Sequence, residues 1–226
     1  MNTINTSNID VYENVLDKIK DEKSEPVVMN EYERGDNALD NTCLDEKTFV
    51  PVNIGYNDGP KYEFTGETKP NGGKVLRRIR AARDIYFPDG HLFVKKGELG
   101  GWIEKEENLS HEGSCWVGEN GIVCDDAIVS GEAYVYGRAI VAQNAVVTGD
   151  AVVRGHALVT GDAVVYDEAY IHSCATVDCF ARVCANANVG GIATVSGYTS
   201  IGKDCTIGGN ARLWDDETYE EVTINE

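Results

Sequence analysis

The sequence lacks the features that mark membrane, secreted and nucleic-acid-binding proteins. No stretch of its 226 residues approaches the roughly 20 apolar residues of a membrane span. The first residues, from Met1, show no basic segment followed by an apolar run, so no secretory signal is predicted. Lys and Arg number 20 against 38 Asp and Glu, and direct binding to nucleic acid or an anionic membrane requires a basic surface. We therefore expect a cytoplasmic protein with no membrane partner and no direct nucleic-acid partner.

Motifs for phosphate, disulfide and metal chemistry are also missing. No Gly-Lys-Ser or Gly-Lys-Thr closes a phosphate-binding loop, although the chain holds 24 glycines. The seven cysteines are an odd number in a chain without a secretory signal, which favours reduced thiols over a disulfide scaffold. None of their spacings is one of the usual zinc-binding spacings. We expect no metal site and no resident cofactor.

What the sequence does contain is a six-residue repeat. A small residue recurs at every sixth position from Ala127 to Ala211, and an aliphatic residue follows it by two positions, from Val129 to Leu213. The fifteen hexads run without one inserted residue, and Gly stands two positions after the aliphatic residue in eight of them, where a tight turn needs a permissive backbone. A fixed repeat of six residues predicts a parallel β-helix.

The repeat resembles the left-handed parallel β-helix of hexapeptide-repeat proteins, in which three hexads make one triangular coil. That resemblance implies an all-β fold with five to six coils of 18 residues each. By composition the chain then divides into an acidic N-terminal extension, a small β cap, the β-helix and an acidic tail; these are residues 1–60, 61–114, 115–213 and 214–226.

Local patterns predict the elements outside the repeat. Asn8–Lys23 has the apolar spacing of a short amphipathic helix, and a linker follows it. Strands of the cap are expected at Lys61–Thr65, Lys74–Tyr86 and His91–Lys95, with turns between them. An open solenoid end exposes strand edges, so we expect the cap to cover one end and Trp214 with the tail to cover the other.

A second resemblance lies in the cap and the first hexads. The YdcK-like family of bacterial and phage hexapeptide-repeat proteins is similar to this chain over about residues 61–213, and the shared stretches are Leu76-Arg77-Arg78-Ile79-Arg80, Gly100-Gly101-Trp102-Ile103-Glu104, Asn108-Leu109-Ser110 and Cys115-Trp116-Val117. The Gly-Gly-Trp-Ile stretch is the most distinctive of these. The resemblance implies the fold, whereas members are labelled acyltransferases only by analogy with other proteins of that fold.

Two histidines in the hexads are the candidates for catalysis. Hexapeptide-repeat acyltransferases use a His as general base, commonly beside a loop that projects from the coils, and this chain has no such loop. An 18-residue coil stacks His172 on Arg154, two residues from His156, so either imidazole is a candidate base. The alternative is that both are outward surface residues. Two histidines cannot supply the three ligands of a carbonic-anhydrase-like zinc site on this fold.

The position after each small residue faces outward and changes character along the repeat. It is apolar in the first half and polar from Thr176 onward. Extended apolar surface marks a contact region, although ordinary strand propensity accounts for Val, Ile and Tyr as well. We expect this surface to be covered both by the N-terminal extension and by other copies of the chain, with a trimer favoured. Together with Arg154, the predicted interface residues are Ile128, Tyr134, Ile140, Val146, Val152, Leu158, Val164 and Tyr170.

Stacking by 18 residues also predicts a column of carboxylates. Like charges stacked across strands repel each other, so a positively charged partner is expected for them. Their spacing of about 4.8 Å is wider than that of the phosphates of duplex DNA. The column is Glu132, Asp150, Glu168 and Asp204, with Asn186 between the last two.

These patterns leave three hypotheses for the function. The first is a non-catalytic, oligomeric binding or scaffold protein, acting on a host protein or on a small ligand held between subunits. The second is an acyltransferase that uses acetyl-CoA and either His156 or His172. The third is an acidic inhibitor or nucleic-acid mimic directed at a host defence protein.

Overall fold

The fold is a parallel β-solenoid. A computed structural model describes residues 59–225, and it is all-β apart from one 3₁₀ turn at Glu106–Asn108. The predicted left-handed β-helix is confirmed, and it has about seven turns. The helix expected at Asn8–Lys23 lies outside the described residues. None of the described segments is a helix with the length and apolarity needed to cross a membrane.

Three flat faces form the sides of the solenoid, and each face is a sheet. Face A consists of β1 (Tyr62–Asn71), β2 (Lys74–Ala81), β5 (Leu99–Ile103), β7 (Ile122–Val123), β10 (Ile140–Val141), β13 (Leu158–Val159), β16 (Thr176–Val177), β19 (Thr194–Val195) and β22 (Arg212–Leu213). Face B consists of β8 (Ile128–Val129), β11 (Val146–Val147), β14 (Val164–Val165), β17 (Arg182–Val183), β20 (Ser200–Gly202) and β23 (Thr218–Glu220). Face C consists of β6 (Trp116–Val117), β9 (Tyr134–Val135), β12 (Val152–Val153), β15 (Tyr170–Ile171), β18 (Asn188–Val189), β21 (Thr206–Gly208) and β24 (Thr223–Asn225). A separate hairpin pairs β3 (Ile85–Tyr86) with β4 (Leu92–Val94).

The register follows the repeat. Val141 pairs with Val159 and Val147 with Val165, so each residue stacks on the residue 18 positions later. The aliphatic and small residues of the hexads point inward and are almost completely buried from Ala127 to Ala211. Small residues beside the aliphatic ones let three faces meet around one narrow core. This core is the main source of stability, because it removes a continuous column of methyl groups from water.

The solenoid is longer than the five to six coils that the sequence predicted. Coil 1 already begins at β5, which pairs in parallel with β7, and coil 7 is formed by β22, β23 and β24. The predicted acidic tail therefore contains two strands of the last coil. Its repeat is one residue short, since Thr206 pairs with Thr223, and the regular hexad pattern does not extend that far.

The turns between faces have the predicted conformation. All eight hexad glycines have a positive φ, among them Gly131 at 65°. Where the repeat has another residue, such as Gln143 or Asp167, that residue takes the same left-handed conformation, at 59° and 54°. The close stacking of coils explains the preference for glycine, since a Cβ on Gly131 would lie 2.9 Å from the backbone nitrogen of Gly149.

The N-terminal end of the solenoid is covered by antiparallel strands. β1 and β2 form a hairpin that extends face A through β5. The strand predicted at Lys74–Tyr86 is divided into β2 and β3. Lys61, directly before β1, is fully buried, and its ammonium lies 3.0 Å from Cys115 Sγ and 3.2 Å from the carbonyl oxygen of Glu112. Burial lowers the pKa of Lys61 and raises the pKa of the Cys115 thiol. Lys61 thus connects the start of the cap to coil 1 through these two contacts.

Candidate functional site

The three edges of the solenoid, where the chain turns from one face to the next, differ in charge. The edge between faces C and A, here called the basic edge, carries Arg138, Arg154, His156 and His172 on successive coils, with a single carboxylate at Glu119. The edge between faces B and C, here called the acidic edge, carries Glu132, Asp150, Asp167, Glu168 and Asp204. The third edge, between faces A and B, carries Asp125, Asp126, Asp162 and Asp178. In a chain of net charge −18, this edge thus carries two arginines and two histidines against one carboxylate.

Arg154 is the centre of the basic edge. Its guanidinium lies over the Tyr170 ring, 5.1 Å from the ring centroid. Its buried Nε has no hydrogen-bond acceptor, and no carboxylate among residues 59–225 forms an ion pair with it. A guanidinium that is held over an aromatic ring and lacks an anion retains its full capacity to bind one.

Aromatic side chains lie in the coils before and after that of Arg154. Tyr136 stacks on Tyr134 with ring centroids 4.3 Å apart, and Tyr134 meets Phe93 of the cap edge-to-face at 5.0 Å. On the other side, the Tyr170 and His172 rings are 5.0 Å apart. Burial raises the pKa of Tyr134 to about 12, so its hydroxyl stays neutral. The result is a strip of rings with one cation, suited to contact with an anionic group.

His172 is stacked on Arg154 as predicted, but both of its ring nitrogens are occupied. Nε2 donates to Asn188 Oδ1 at 2.8 Å, and Nδ1 lies 2.9 Å from Ser173 Oγ. The ring also covers Gly190, where a Cβ would come within 2.3 Å of the imidazole. A general base needs a free nitrogen, so these contacts favour a positioning role within the strip over catalysis. His156 lies exposed at the rim of the same edge.

The acidic edge forms the predicted column. Successive strands of face B stack Glu132 on Asp150 and Asp150 on Glu168. Burial and the neighbouring Asp150 raise the pKa of Glu132 to about 7, and Asp89 of the β3–β4 loop adds to the effect. Lower down, Asn186 donates to Asp204 at 2.9 Å, which relieves the repulsion there. Carboxylates are therefore direct neighbours in the first coils, whereas an amide separates Glu168 from Asp204 further along the column.

The predicted outward apolar residues are less exposed than the sequence suggested. Val146 and Val164 are buried, while Ile128, Tyr134, Ile140, Val152, Leu158 and Tyr170 are half-buried. Each of these side chains is flanked along its face by the residues 18 positions away. The strongly exposed large apolar residues of the later coils are instead Phe180, Ile192, Tyr198 and Trp214.

Two of those exposed aromatic residues form a pair that sequence reasoning missed. The Phe180 and Tyr198 rings stack with centroids 4.8 Å apart and planes 4° apart, on the third edge. Their spacing of 18 residues was the available signal, because it places them at the same turn position in adjacent coils.

No group of three or more His, Cys, Asp or Glu side chains within residues 59–225 has the arrangement of a metal site. Cys174 and Cys179 are exposed and Cys184 is half-buried, and the structure places the three at different edges of the solenoid. All the cysteines of the described part are free thiols, and Cys43 lies outside it.

The structure explains the glycines and the tryptophan of the Gly-Gly-Trp-Ile stretch. A Cβ on Gly100 would lie 2.6 Å from the Ile79 side chain and 2.7 Å from that of Trp116. The Lys69 ammonium and the Arg78 guanidinium both lie over the Trp102 ring, at 4.4 Å and 5.4 Å from its centroid. The motif therefore joins the cap to coil 1.

No protein-family model matches the chain, and no curated protein matches it either.

Proposed function

We propose that this protein is a non-catalytic binding or scaffold protein that works as an oligomer and uses its basic edge to hold an anionic group. The observation that carries the proposal is Arg154, which lies over Tyr170 without a carboxylate partner in a strongly acidic chain. The anionic group belongs either to a host protein or to a small ligand held between subunits.

The regularity of the coils supports a scaffold. From β7 to β22 the strands of face A repeat at 18-residue intervals, so the described coils carry no inserted loop there. The backbone of every edge turn is held by the strands on both sides of it. Such a surface presents charges at constant spacing, which suits a partner of repeating or extended shape.

Family, origin and location form part of the proposal. We place the chain with the YdcK-like hexapeptide-repeat proteins because Gly100 and Gly101 stand where the cap meets coil 1 and leave no room for a side chain. Under this proposal the protein is cytoplasmic, of phage or bacterial origin.

Light scattering coupled to size exclusion tests the oligomer. The full chain is measured over a range of concentrations at low ionic strength, and we expect a mass above that of one chain. A strict monomer at all concentrations would contradict the proposal. In the second arm, Arg154→Ala is compared with Arg212→Ala, a matched arginine on face A. We expect only the Arg154 substitution to weaken binding of an acidic probe, poly-aspartate, measured by calorimetry.

One observation favours a second candidate, an acyltransferase that uses acetyl-CoA. His172 and Arg154 lie on the basic edge beside Tyr170 of face C, where an imidazole next to a bound anion is suited to acid–base chemistry once its Ser173 contact opens. Acetyl-CoA binding by calorimetry, and loss of acyl transfer in His172→Ala and His156→Ala, are the expected results for this candidate. Absence of acetyl-CoA binding would remove it.

A further inference from the structure

The junction between the cap and coil 1 holds a buried amine next to a buried thiol. Among residues 59–225, Lys61 is the one Lys, Arg, Asp or Glu that is fully buried. Its Nζ lies 3.0 Å from Cys115 Sγ, and Cys115 is fully buried as well. An ammonium loses its hydration in such a place, so long charged side chains are rarely buried to this extent. Packing alone does not account for this lysine, since an apolar side chain of the same length would avoid that cost.

The repeat places the thiol of Cys115 at the end of the core. Val117 pairs with Val135, so Cys115 stacks on Ala133 and takes the position of the small residue in its hexad. Coil 2 has alanine there, which shows that the fold does not require a sulfur atom at this position. The sulfur of coil 1 is the atom that Lys61 reaches from the cap.

Lys61 is the side chain that can act on this thiol. Three carbonyl oxygens also surround the sulfur, those of Ser110 and Glu112 at 3.6 Å and that of Val129 at 3.7 Å. A carbonyl oxygen neither removes a proton from a thiol nor stabilises a thiolate. The amine does both, because it takes the proton as a base and then lies beside the thiolate as a cation. Burial lowers the pKa of Lys61, so the nitrogen lone pair needed for this transfer is more often free.

The pair lies directly beneath the surface. Nζ of Lys61 contacts the carbonyl oxygens of Glu112 and Gly113, at 3.2 Å and 3.5 Å, and both of these residues are exposed. One segment of the chain therefore separates the amine from solvent on this side. We expect a molecule as small as hydrogen peroxide to enter when this segment opens. Oxidation is expected to be slower there than at the exposed Cys174 and Cys179.

We propose that Lys61 and Cys115 form a covalent nitrogen–sulfur bond when the protein meets hydrogen peroxide or another hydroperoxide. The bond joins the start of the cap to coil 1, and thiol reductants remove it. The pair is thus a reversible oxidation site. It uses no residue of the basic edge, so it is independent of the anion bound there under the proposed function.

The first step of the reaction oxidises the sulfur. Lys61 Nζ takes the thiol proton, and the sulfur attacks one oxygen of the peroxide, whose oxygen–oxygen bond breaks. The sulfur loses two electrons and becomes a sulfenic acid. The released hydroxide takes the proton back from the nitrogen, which gives one water and a neutral amine.

The second step forms the bond. The amine attacks the sulfur, the sulfur–oxygen bond breaks, and the hydroxide leaves with one amine proton as a second water. One amine, one thiol and one peroxide thus give the nitrogen–sulfur bond and two waters. Two molecules of a thiol reductant reverse the reaction, since they restore the amine and the thiol and become one disulfide.

The bond is expected to hold the cap on the solenoid. Lys61 and Cys115 are 54 positions apart, so the link closes a long loop that contains the whole cap. A cross-link of this kind restricts the unfolded chain more than the folded one. We expect the oxidised protein to unfold at a temperature higher by about 5 °C or more, and dithiothreitol to remove the increase.

Mass spectrometry of the full chain tests the bond. The protein is treated with hydrogen peroxide, its remaining thiols are alkylated, and it is digested with trypsin without reductant. We expect the peptides that contain Lys61 and Cys115 to appear as one linked species, lighter than their sum by two hydrogens, about 2 Da. Trypsin no longer cleaves after Lys61 in this species, because the amine is blocked. Dithiothreitol added before alkylation is expected to release the two peptides.

Two variants serve as matched controls. Lys61→Met keeps a side chain of similar length without the amine, and Cys115→Ala introduces the residue that coil 2 has at this position. We expect neither variant to form the linked species or to gain thermal stability on oxidation. Cys174→Ser removes an exposed thiol instead and is expected to behave like the parent chain. Circular dichroism establishes that every variant is folded, and Lys61→Gln or Cys115→Ser replaces a variant that is not.

Three results would overturn the proposal. The first is a Cys115 that stays reduced for as long as the oxidised protein remains folded. The second is oxidation of Cys115 to a sulfinic acid with no linked peptide. The third is a link from Cys115 to another cysteine in place of Lys61. Each of these leaves the proposed binding at the basic edge standing, because that binding is measured with Arg154→Ala and a reduced chain.

Discussion

The two ends of the solenoid are protected in different ways. At the N-terminal end, β2 forms antiparallel hydrogen bonds with β5, and the edge strand β1 carries a bulge between Phe64 and Thr68 and ends next to Pro70. At the other end, β22, β23 and β24 have no further strand beside them within residues 59–225. The difference shows two ways to protect a solenoid end. Either further strands pair with the exposed strand edges of the end coil, or the side chains around those edges prevent another chain from pairing with them.

At the C-terminal end of the solenoid, acidic side chains and Tyr219 protect the last coil. Asp215, Asp216, Glu217, Glu220 and Glu221 surround the last coil. Tyr219 takes a core position there, pairs with Ile201, and donates its hydroxyl to Asp215 Oδ2 at 2.8 Å. This hydrogen bond lowers the pKa of Asp215, so the carboxylate stays ionised. With five carboxylates against one arginine, Arg212, the last coil presents a predominantly negative surface to a second copy.

The largest expected effect comes from the core of the paired end. Ile79 is fully buried between the cap and coil 1, whereas Ile224 in the last coil is half-buried. Ile79→Ala is expected to lower the free energy of unfolding by about 2 to 5 kcal/mol, because it leaves a cavity. Ile224→Ala is expected to cost about 1 kcal/mol, because less area is lost from the core. Urea unfolding measures both, and equal losses would contradict the contrast between the ends.

Replacement of one glycine near each end by alanine tests how closely the coils are packed there. Gly100→Ala puts a Cβ 2.6 Å from Ile79 and 2.7 Å from the Val117 carbonyl oxygen, and is expected to cost about 1 to 3 kcal/mol through overpacking. Gly202→Ala near the other end meets only Cys184 Sγ, at 3.4 Å, and is expected to change stability by less than about 0.5 kcal/mol. Thermal unfolding distinguishes the two, and a tolerated alanine at residue 100 would disprove the tight cap contact.

Removing charge from the second end tests its protective role. The triple variant Asp216→Asn, Glu217→Gln and Glu221→Gln keeps the last coil but takes away three negative charges. We expect it to associate end to end and so to double the apparent mass found by light scattering, because an unguarded strand edge templates pairing. The same three-residue change in charge at Asp162, Asp178 and Glu119, which lie on the edges, is expected to leave the mass unchanged.

The last prediction concerns the pH dependence of stability, which is expected to depend on the carboxylate column. The pKa of Glu132 is raised to about 7 from the ordinary 4.5, so the folded state binds a proton that the unfolded chain has released between these values. Stability is therefore expected to fall as the pH rises from about 4.5 to about 7, and Glu132→Gln is expected to remove this fall. Asp204→Asn, in coil 6 beside Asn186, is the control and leaves the slope in place. Unfolding free energies across this range show whether the slope belongs to Glu132.

Part of the candidate site followed from the repeat. The stacking of His172 on Arg154 and the column from Glu132 to Asp204 needed only the interval of 18 residues, and the structure has both. The contacts of His172 with Asn188 and Ser173 did not follow, since they depend on side-chain rotation rather than on position along the chain. The same holds for Arg154 over Tyr170.

The first and last coils were not predicted from the sequence because neither follows the regular hexad pattern. Coil 1 has an irregular path between β5 and β6, with a 3₁₀ turn in place of a regular strand, and Leu109 makes only a single bridge to Val129. Its pairing with the rest of face A, not its local pattern, makes it part of the solenoid. The last coil is recognised in the same way, through the pairing of Tyr219 with Ile201.

The sequence by itself determined the fold and its register, because a period of six places one small and one aliphatic residue inward in every hexad, and a slip of one residue would turn them outward into water. Only the tertiary structure decided which side chains of neighbouring coils contact each other, as Arg154 contacts Tyr170, and how the two ends are protected. Those features depend on side-chain rotation or on the pairing of strands of opposite direction, and the groups meet only when the coils stack.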